Sequence, residues 1–332
     1  MVITRTPFRI SFFGGGTDYP TWYRDNGGAV LATTIDKYCY ISCRYLPPFF
    51  EHKHRIVYSR IESVKKIEEI KHPSVRATLA WASFKKGLEI HHDGDLPARA
   101  GLGSSSSFTV GLVHALAALE GKHICKEDLA KKAIHIEQNI IKENVGSQDQ
   151  VSAAVGGLNH IEFKRNDIFQ VSPVILAKGR LQELQNHLML FFTGLTRFAP
   201  DIAKEKIKNF KNREAELKRM GEMVDESIKI LQCNNTSIGD FGALLHESWE
   251  YKRKLSSKIS TPEIDIIFEE AMNAGAISGK LLGAGGGGFV VFFVKPDLQV
   301  RVRERLKRLV HVPFRFEFSG SRVMHYQPDE VT

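Results

Sequence analysis

The chain has 332 residues, which at roughly 150 per domain predicts about two domains with separate cores. Hydrophobic residues make up 42% and charged residues 25%, which excludes a largely disordered chain, and no run approaches the ~18 consecutive apolar residues of a membrane span. Lys and Arg outnumber Asp and Glu by 46 to 38, a net charge of +8 that favours anionic partners. The basic stretches 204–219 and 301–308 interleave apolar residues at helical spacing and read as solvated faces of amphipathic helices. No helix-turn-helix, zinc-finger or RNA-binding signature accompanies them, so phosphorylated small molecules are the expected partners, not nucleic acid or membrane. Cys39, Cys43, Cys125 and Cys233 form no CxxC pair and no disulfide framework. Nothing before Gly14 reads as a secretory signal, and the expectation is a cytoplasmic protein, monomer or homodimer.

In chain order, the sequence predicts a strand over 29–44, rich in Ile, Thr and Tyr, with Cys39 and Cys43 on one face but too far apart to bond each other. Pro47 and Pro48 end it. Helical periodicity follows at 73–87, at 104–120, where Phe108, Leu112, Leu116 and Leu119 share a stripe, and at 126–143. Short strands are expected at 158–163 and 168–176. From residue 187 the pattern starts again: a strand at 188–192, a long helix from 200 to about 231, a helix at 262–274, a strand at 289–294, a helix at 300–309 and a closing strand near 314–318. A boundary at 185/186 without a Gly/Ser linker predicts two closely docked domains, 1–185 and 186–332.

Gly101-Leu102-Gly103-Ser104-Ser105-Ser106-Ser107 runs directly into an apolar-periodic helix. Glycines let backbone N–H groups turn inward, serines offer hydroxyls, and the helix N-terminus adds partial positive charge, a combination that favours a polyphosphate. The segment matches neither GxxxxGK[ST] nor GxGxxG. Glu137 has Ala133, Ile134, Ile140 and Ile141 at helical spacing around it, which predicts a buried carboxylate that needs a metal ion or a Lys or Arg partner. Asp149, after Gly146-Ser147-Gln148, reads either as a helix cap or as a functional acid, and Asp18 as a turn residue or a ligand. His52, His54, His91 and His92 are expected in solvated loops, and Trp81 and Trp249 in the core.

Pro97-x-x-x-Gly101-Leu102-Gly103-Ser104-Ser105 resembles the central motif of the GHMP small-molecule kinases, which include galactokinase, homoserine kinase, mevalonate kinase and phosphomevalonate kinase. Pro7-Phe8-Arg9-Ile10-Ser11-Phe12-Phe13-Gly14-Gly15-Gly16-Thr17-Asp18-Tyr19 is similar to the first motif of that family, and Gly283-Ala284-Gly285-Gly286-Gly287-Gly288 to the third. The resemblance implies an α+β, two-domain GHMP kinase architecture, with a ribosomal protein S5-like N-terminal domain and a ferredoxin-like C-terminal one. It also implies ATP and Mg²⁺ in the cleft between them. Carried onto this sequence, Gly101, Leu102, Gly103, Ser104, Ser105 and Ser106 would bind nucleotide, and Ser105 and Glu137 would hold the metal. Asp149 would serve as the base or orient the acceptor hydroxyl, and Arg9 would keep it ionised and offset phosphoryl charge.

Gly15, Gly16, Thr17 and Asp18 would meet the acceptor, but Gly15-Gly16 stands where galactokinase has Glu-His, which makes room for a larger sugar and argues against galactose. The Phe-Gly-Gly-Gly-Thr-Asp-Tyr stretch, Thr193-Gly194-Leu195-Thr196-Arg197, Trp249-x-x-Lys252 and Lys280-Leu281-Leu282-Gly283-Ala284-Gly285 resemble the D-glycero-D-manno-heptose 7-phosphate kinase branch. That branch implies a sugar phosphate acceptor phosphorylated on its anomeric hydroxyl. Arg197, Lys252 and Lys280, with Gly283, Gly285 and Gly286, would line its site. A related sugar-1-kinase acting on fucose or an N-acetylhexosamine, and a non-catalytic sugar or nucleotide sensor, are the competing expectations.

Overall fold

The N-terminal segment folds as strand β1 (Val2–Phe13), which carries the motif from Pro7 to Phe13, with Phe8, Ile10, Phe12 and Phe13 in the core. The computed structural model describes residues 1–98, 100–195, 199–233 and 235–328. A short helix α1 (Pro20–Asn26) leads to β2 (Gly28–Tyr45), antiparallel to β1 with Arg9 opposite Thr34. Cys39 and Cys43 are both buried and free, as a shared strand face requires. Next come β3 (His54–Val57), β4 (Ile61–Val64), helix α2 (Pro73–Trp81) and β5 (Leu88–Gly94). His54 is therefore buried on a strand, and His91 and His92 also lie on one, not in solvated loops. Trp81 ends α2 at 38% exposure, outside the core in which it was expected.

Helix α3 (Ser104–Leu119) buries Phe108, Leu112 and Leu116 as its stripe predicts, with Leu119 packed at the edge. The single helix expected over 126–143 is instead α4 (Lys126–Ile134) running into a π-helical segment, His135–Ile140. There the Ile141 N–H reaches back five residues to the Ile136 carbonyl, so helical spacing no longer holds and Ile140 is exposed. Helix α5 (Gln148–Val155), strands β6 (Leu158–Phe163) and β7 (Phe169–Pro173) and helix α6 (Lys178–Asn186) follow.

The chain then builds a second sheet from β8 (Leu188–Phe192) onward. Helices α7 (Ala199–Asn209), α8 (Glu214–Gln232), α9 (Ile238–Lys254) and α10 (Pro262–Asn273) precede β9 (Ala276–Leu281) and β10 (Phe289–Val294). Helix α11 (Gln299–Arg305) and β11 (Val310–Val312) complete it, in the antiparallel order β11-β8-β10-β9. Every residue of β10 is buried, which its unbroken apolar sequence requires of a strand covered on both faces. The helix predicted over 200–231 breaks at a 3₁₀ turn, Phe210–Asn212, flanked by Asn209 and ending in Asn212, residues whose amides compete with the helical backbone. Trp249 is in the core, stacked on Phe268.

Strands β12 (Phe316–Glu317) and β13 (Arg322–Tyr326) return to the first sheet, pairing with β2 and β1. That nine-stranded sheet runs β13-β1-β2-β5-β3-β4, with β12 and β6 also on β2 and β7 on β6. The chain leaves it near residue 185, between α6 and β8, but by sheet membership its last strands belong to the first unit. Phe12 and Phe13 pack edge-on against Phe241 of α9. Two glycine loops meet beside this contact. A Cβ on Gly283, at φ +69°, would lie 2.4 Å from the Gly101 Cα, and the Phe289 N–H donates to the Ala100 carbonyl. Among the described residues, no helix is long and apolar enough to cross a membrane.

The backbone contact between the loops makes a prediction. Gly121→Ala, at φ +70° with no atom within 4 Å of the new methyl, should cost about 1–2 kcal/mol from conformation alone. Gly283→Ala adds the clash with Gly101 and should cost about 3–4 kcal/mol. Denaturant unfolding of the two variants checks this, and equal losses would contradict the docking of the loops.

Candidate active site

Arg9 organises the site from the middle of β1. Its backbone N–H donates to the Leu102 carbonyl at 3.0 Å, and its Nη1 to the Gly101 carbonyl at 2.7 Å. The same guanidinium forms a two-pronged pair with Asp149, Nε to Oδ1 at 2.7 Å and Nη2 to Oδ2 at 2.8 Å. The Arg9 side chain is 5% exposed and the Asp149 side chain 22%, so the acid keeps an open edge while the arginine does not. Asp149 lies in the first turn of α5. Gly103, the residue before α3, sits at φ +75° with the Asp149 carboxylate 3.4 Å from where a Cβ would be, so the glycine loop and the acid are in contact.

No side chain caps α3. Of the four serines, Ser107 donates to the Pro7 carbonyl and Ser106 to Glu137, while Ser105 is exposed on the first turn. The helix start thus keeps the uncapped amides that suit a phosphate.

Glu137 is fully buried, as predicted, and no Lys or Arg pairs with it among the described residues. Ser106 Oγ donates to it at 2.7 Å, Thr109 Oγ1 at 2.8 Å, and the Gln150 amide completes the cage. Burial, helped by the charge of Glu143, pushes its carboxyl up to about 7 against the pull of those donors. Of the serines at the start of α3, the one whose hydroxyl is seen to donate to Glu137 is Ser106. A buried carboxylate with hydroxyl and amide oxygens around it and no cationic side chain is a donor set that fits a hard divalent ion such as Mg²⁺.

Asp18, also buried, accepts from the Gly16 N–H at 2.9 Å and from Gln148 Nε2 at 3.0 Å. Gln148 precedes Asp149, so the two acids share one wall. Burial raises the Asp18 carboxyl above the usual range, with Lys206 opposing and Asp149 adding to the rise. Gly15 opens toward Ser11 and Gln148, whose Oγ and Oε1 are buried without partners among the described residues. Thr17 turns away: its hydroxyl bonds to the Gly14 and Ala29 carbonyls and builds the turn.

The expected phosphate anchors are placed differently. Lys252 donates to the Leu281 and Gly283 carbonyls at 2.6 and 2.7 Å, and Lys280 to the Phe12 carbonyl and Ser248. Both are buried: Lys252 ties α9 to the end of β9 and the glycine loop after it, and Lys280 ties β9 to β1 and α9. Gly283 rests on Gly101, while Gly285 and Gly286 pack on Ile259. Arg197 lies outside the described residues.

Sequence reasoning missed Lys206 of α7. It is 4% exposed, with its ammonium 4.5 Å from the centre of the Tyr19 ring, in the fields of Asp18 and Asp149. Around it Lys204, Lys208 and Lys211 are exposed, as the amphipathic reading of 204–219 expects. The signal was its spacing: Lys206 falls four residues after Ile202 and four before Phe210, inside the buried stripe. Arg9, Lys206, Lys252 and Lys280 thus share a region with two carboxylates, Asp18 and Asp149, leaving an excess of positive charge. Burial and then the charges of Lys206 and Arg9 push Lys280 down to about 7. An arriving anion relieves that repulsion.

Residues 64–157 match the model of the GHMP kinases N terminal domain and residues 228–311 that of GHMP kinases C terminal. The D-glycero-alpha-D-manno-heptose 7-phosphate kinase of Campylobacter jejuni is 31% identical over 317 residues, 92% of this chain and 93% of that protein. The chain belongs to the GHMP kinase family. A galactokinase from Thermosipho africanus is 25% identical over 332 residues, 88% of each chain. The fold agrees with a solved D-glycero-D-manno-heptose 1-phosphate kinase from Bacteroides thetaiotaomicron, at TM-score 0.80 and 23% identity, covering 98% of this chain and 100% of that one. The α+β, two-domain GHMP kinase architecture expected from the motifs is the one observed, and this GHMP kinase is an ATP-dependent phosphotransferase acting on a sugar.

The raised Glu137 carboxyl has a signed consequence. A carboxyl whose folded value lies near 7 contributes stability that is full below its unfolded value of 4.5 and lost as pH rises through 7. In EDTA, Glu137→Gln should therefore be more stable than the wild type at pH 8, by up to about 3 kcal/mol, with the difference vanishing near pH 4.5. Adding Mg²⁺ should raise the Tm of the wild type and leave the variant unmoved. Thermal unfolding at the two pH values, with and without Mg²⁺, checks both, and a variant less stable at pH 8 in EDTA would contradict the assignment.

Proposed function

We propose that this kinase transfers the γ-phosphoryl group of ATP to the anomeric hydroxyl of D-glycero-D-manno-heptose 7-phosphate, giving the 1,7-bisphosphate for nucleotide-activated heptose synthesis. The observation that carries this reading is Asp149, fixed by Arg9, open on one edge, and in contact with the start of α3 beside Asp18. The heptose acceptor is supported by the Campylobacter relative, by the missing side chains at Gly15 and Gly16, and by the cationic excess, which suits an acceptor already carrying a phosphate.

The triphosphate lies along residues 101–106, with its terminal phosphate against the uncapped amides of α3. Asp18 and Gln148 take sugar hydroxyls. Asp149 accepts a hydrogen bond from the acceptor hydroxyl and takes its proton as the oxygen–phosphorus bond forms. The bond from the γ-phosphorus to the bridging oxygen breaks, and ADP leaves with that electron pair. Arg9 holds Asp149 at the glycine loop through its two-pronged pair and its bond to the Gly101 carbonyl. Glu137 and Ser105 would hold Mg²⁺, with Ser106, Thr109 and Gln150 orienting the Glu137 carboxylate. The bound ion would neutralise phosphate charge.

Asp149→Asn should lower kcat at least ~10²-fold while ATP affinity, measured by calorimetry, changes little. Wild-type turnover in that variant would remove Asp149 from the mechanism. With the wild-type enzyme, heptose 7-phosphate should be turned over far faster than unphosphorylated heptose, fucose or an N-acetylhexosamine. Equal turnover without the distal phosphate would overturn the acceptor assignment.

A further inference from the structure

Lys206 is the buried cation of the site whose donors the described protein leaves unused. Lys252 and Lys280 each give their ammonium to backbone carbonyls. Lys206, as deeply buried, makes no hydrogen bond or ion pair among the described residues and meets only the face of the Tyr19 ring. An ammonium has three donors, and a side chain this deeply set gives them little water, so retaining one in the apolar stripe of α7 suits a partner that arrives with substrate. Its location says which partner. Gly16, whose N–H holds Asp18, approaches so closely that a Cβ there would lie 4.0 Å from the Lys206 nitrogen, and the carboxylates of Asp18 and Asp149 both attract its charge. A hydroxyl losing its proton there develops only partial charge, which one ammonium offsets.

We propose that Lys206 is a catalytic residue of this kinase, its ammonium donating a hydrogen bond to the acceptor oxygen that attacks the γ-phosphorus while Asp149 takes the proton of that oxygen. The inference rests on the reading that Asp149 faces the acceptor hydroxyl. Lys206 stays protonated throughout. The oxygen–hydrogen bond of the acceptor breaks toward Asp149, the new oxygen–phosphorus bond forms, and the electron pair of the broken phosphorus–oxygen bond leaves with ADP. Burial lowers the affinity of Lys206 for its proton, opposed by Asp18 and Asp149, so the protein bears a cost to keep a charge there.

The test uses the full-length enzyme. Lys206→Met keeps the length of the side chain and removes a buried, unpaired charge. It should lower kcat at least ~10²-fold, leave the KM for ATP within about twofold, and leave Tm equal to or above that of the wild type. Lys206→Ala should be similarly impaired and regain at least ~10-fold in kcat with ethylammonium but not with tetramethylammonium, which has no N–H to donate. Retention of more than a third of kcat in Lys206→Met would overturn the proposal, as would a defect confined to the KM for the sugar. A lowered Tm with no amine rescue would make Lys206 structural and overturn it as well. Should the wild type prefer another sugar, the same comparison with that sugar decides the case, so the acceptor assignment can fail while Lys206 stands. Full activity of Asp149→Asn beside a dead Lys206→Met would remove Asp149 and keep the lysine.

Discussion

One arginine determines where the chemistry of this protein can happen. Arg9 bonds through its backbone to Leu102, through one guanidinium nitrogen to Gly101, and through two others to Asp149, so a strand, a glycine loop and a helix N-terminus are fixed by a single residue. A lysine has no planar fork and could not make the two-pronged pair and the carbonyl contact together. Because the arginine is buried, the geometry is held in low dielectric, where a carboxylate left without its partner is strongly disfavoured. The glycine loop is clamped from the other side by the contact of Gly101 with Gly283, which Lys252 secures by binding the Gly283 carbonyl. Both folded units therefore contribute to one rigid cradle.

The basic character of the chain finds part of its explanation inside the molecule. A composition of +8 invites a search for an anion-binding face, yet three of the lysines that matter, Lys206, Lys252 and Lys280, are buried around the site. Two of them give their ammonium groups to backbone carbonyls and raise the local potential as a consequence. That potential, opposed by Asp18 and Asp149, favours an anionic ligand.

The motif residues were legible in the sequence because their chemistry is local: a glycine at positive φ, a run of serines at a helix start, an acid after Gly-Ser-Gln. The strands at 158–163 and 289–294 and the stripe of α3 were legible for the same reason, since period and composition agree. The remainder needed tertiary information. The π-helical segment that carries Glu137 leaves no mark on a periodicity, and Ile140 in it lies outside the apolar face it was expected to share. Lys252 and Lys280 read as ligand anchors because nothing in one dimension shows that the Leu281, Gly283 and Phe12 carbonyls take their donors. Lys206 was hidden among neighbours that are solvated. Strands β12 and β13 complete a sheet begun more than three hundred residues earlier, a pairing no local signal encodes.

The central claim is that the Arg9-held Asp149 carboxylate and the uncapped start of α3 face one reacting phosphorus. The most direct measurement is a crystal structure of the enzyme with a non-hydrolysable ATP analogue and heptose 7-phosphate. The account predicts the terminal phosphate at the amides of the first turn of α3, with the acceptor hydroxyl about 2.6–3.2 Å from an Asp149 oxygen. A nucleotide bound elsewhere, or an Asp149 carboxylate turned away from the acceptor with the Arg9 pair intact, would contradict it.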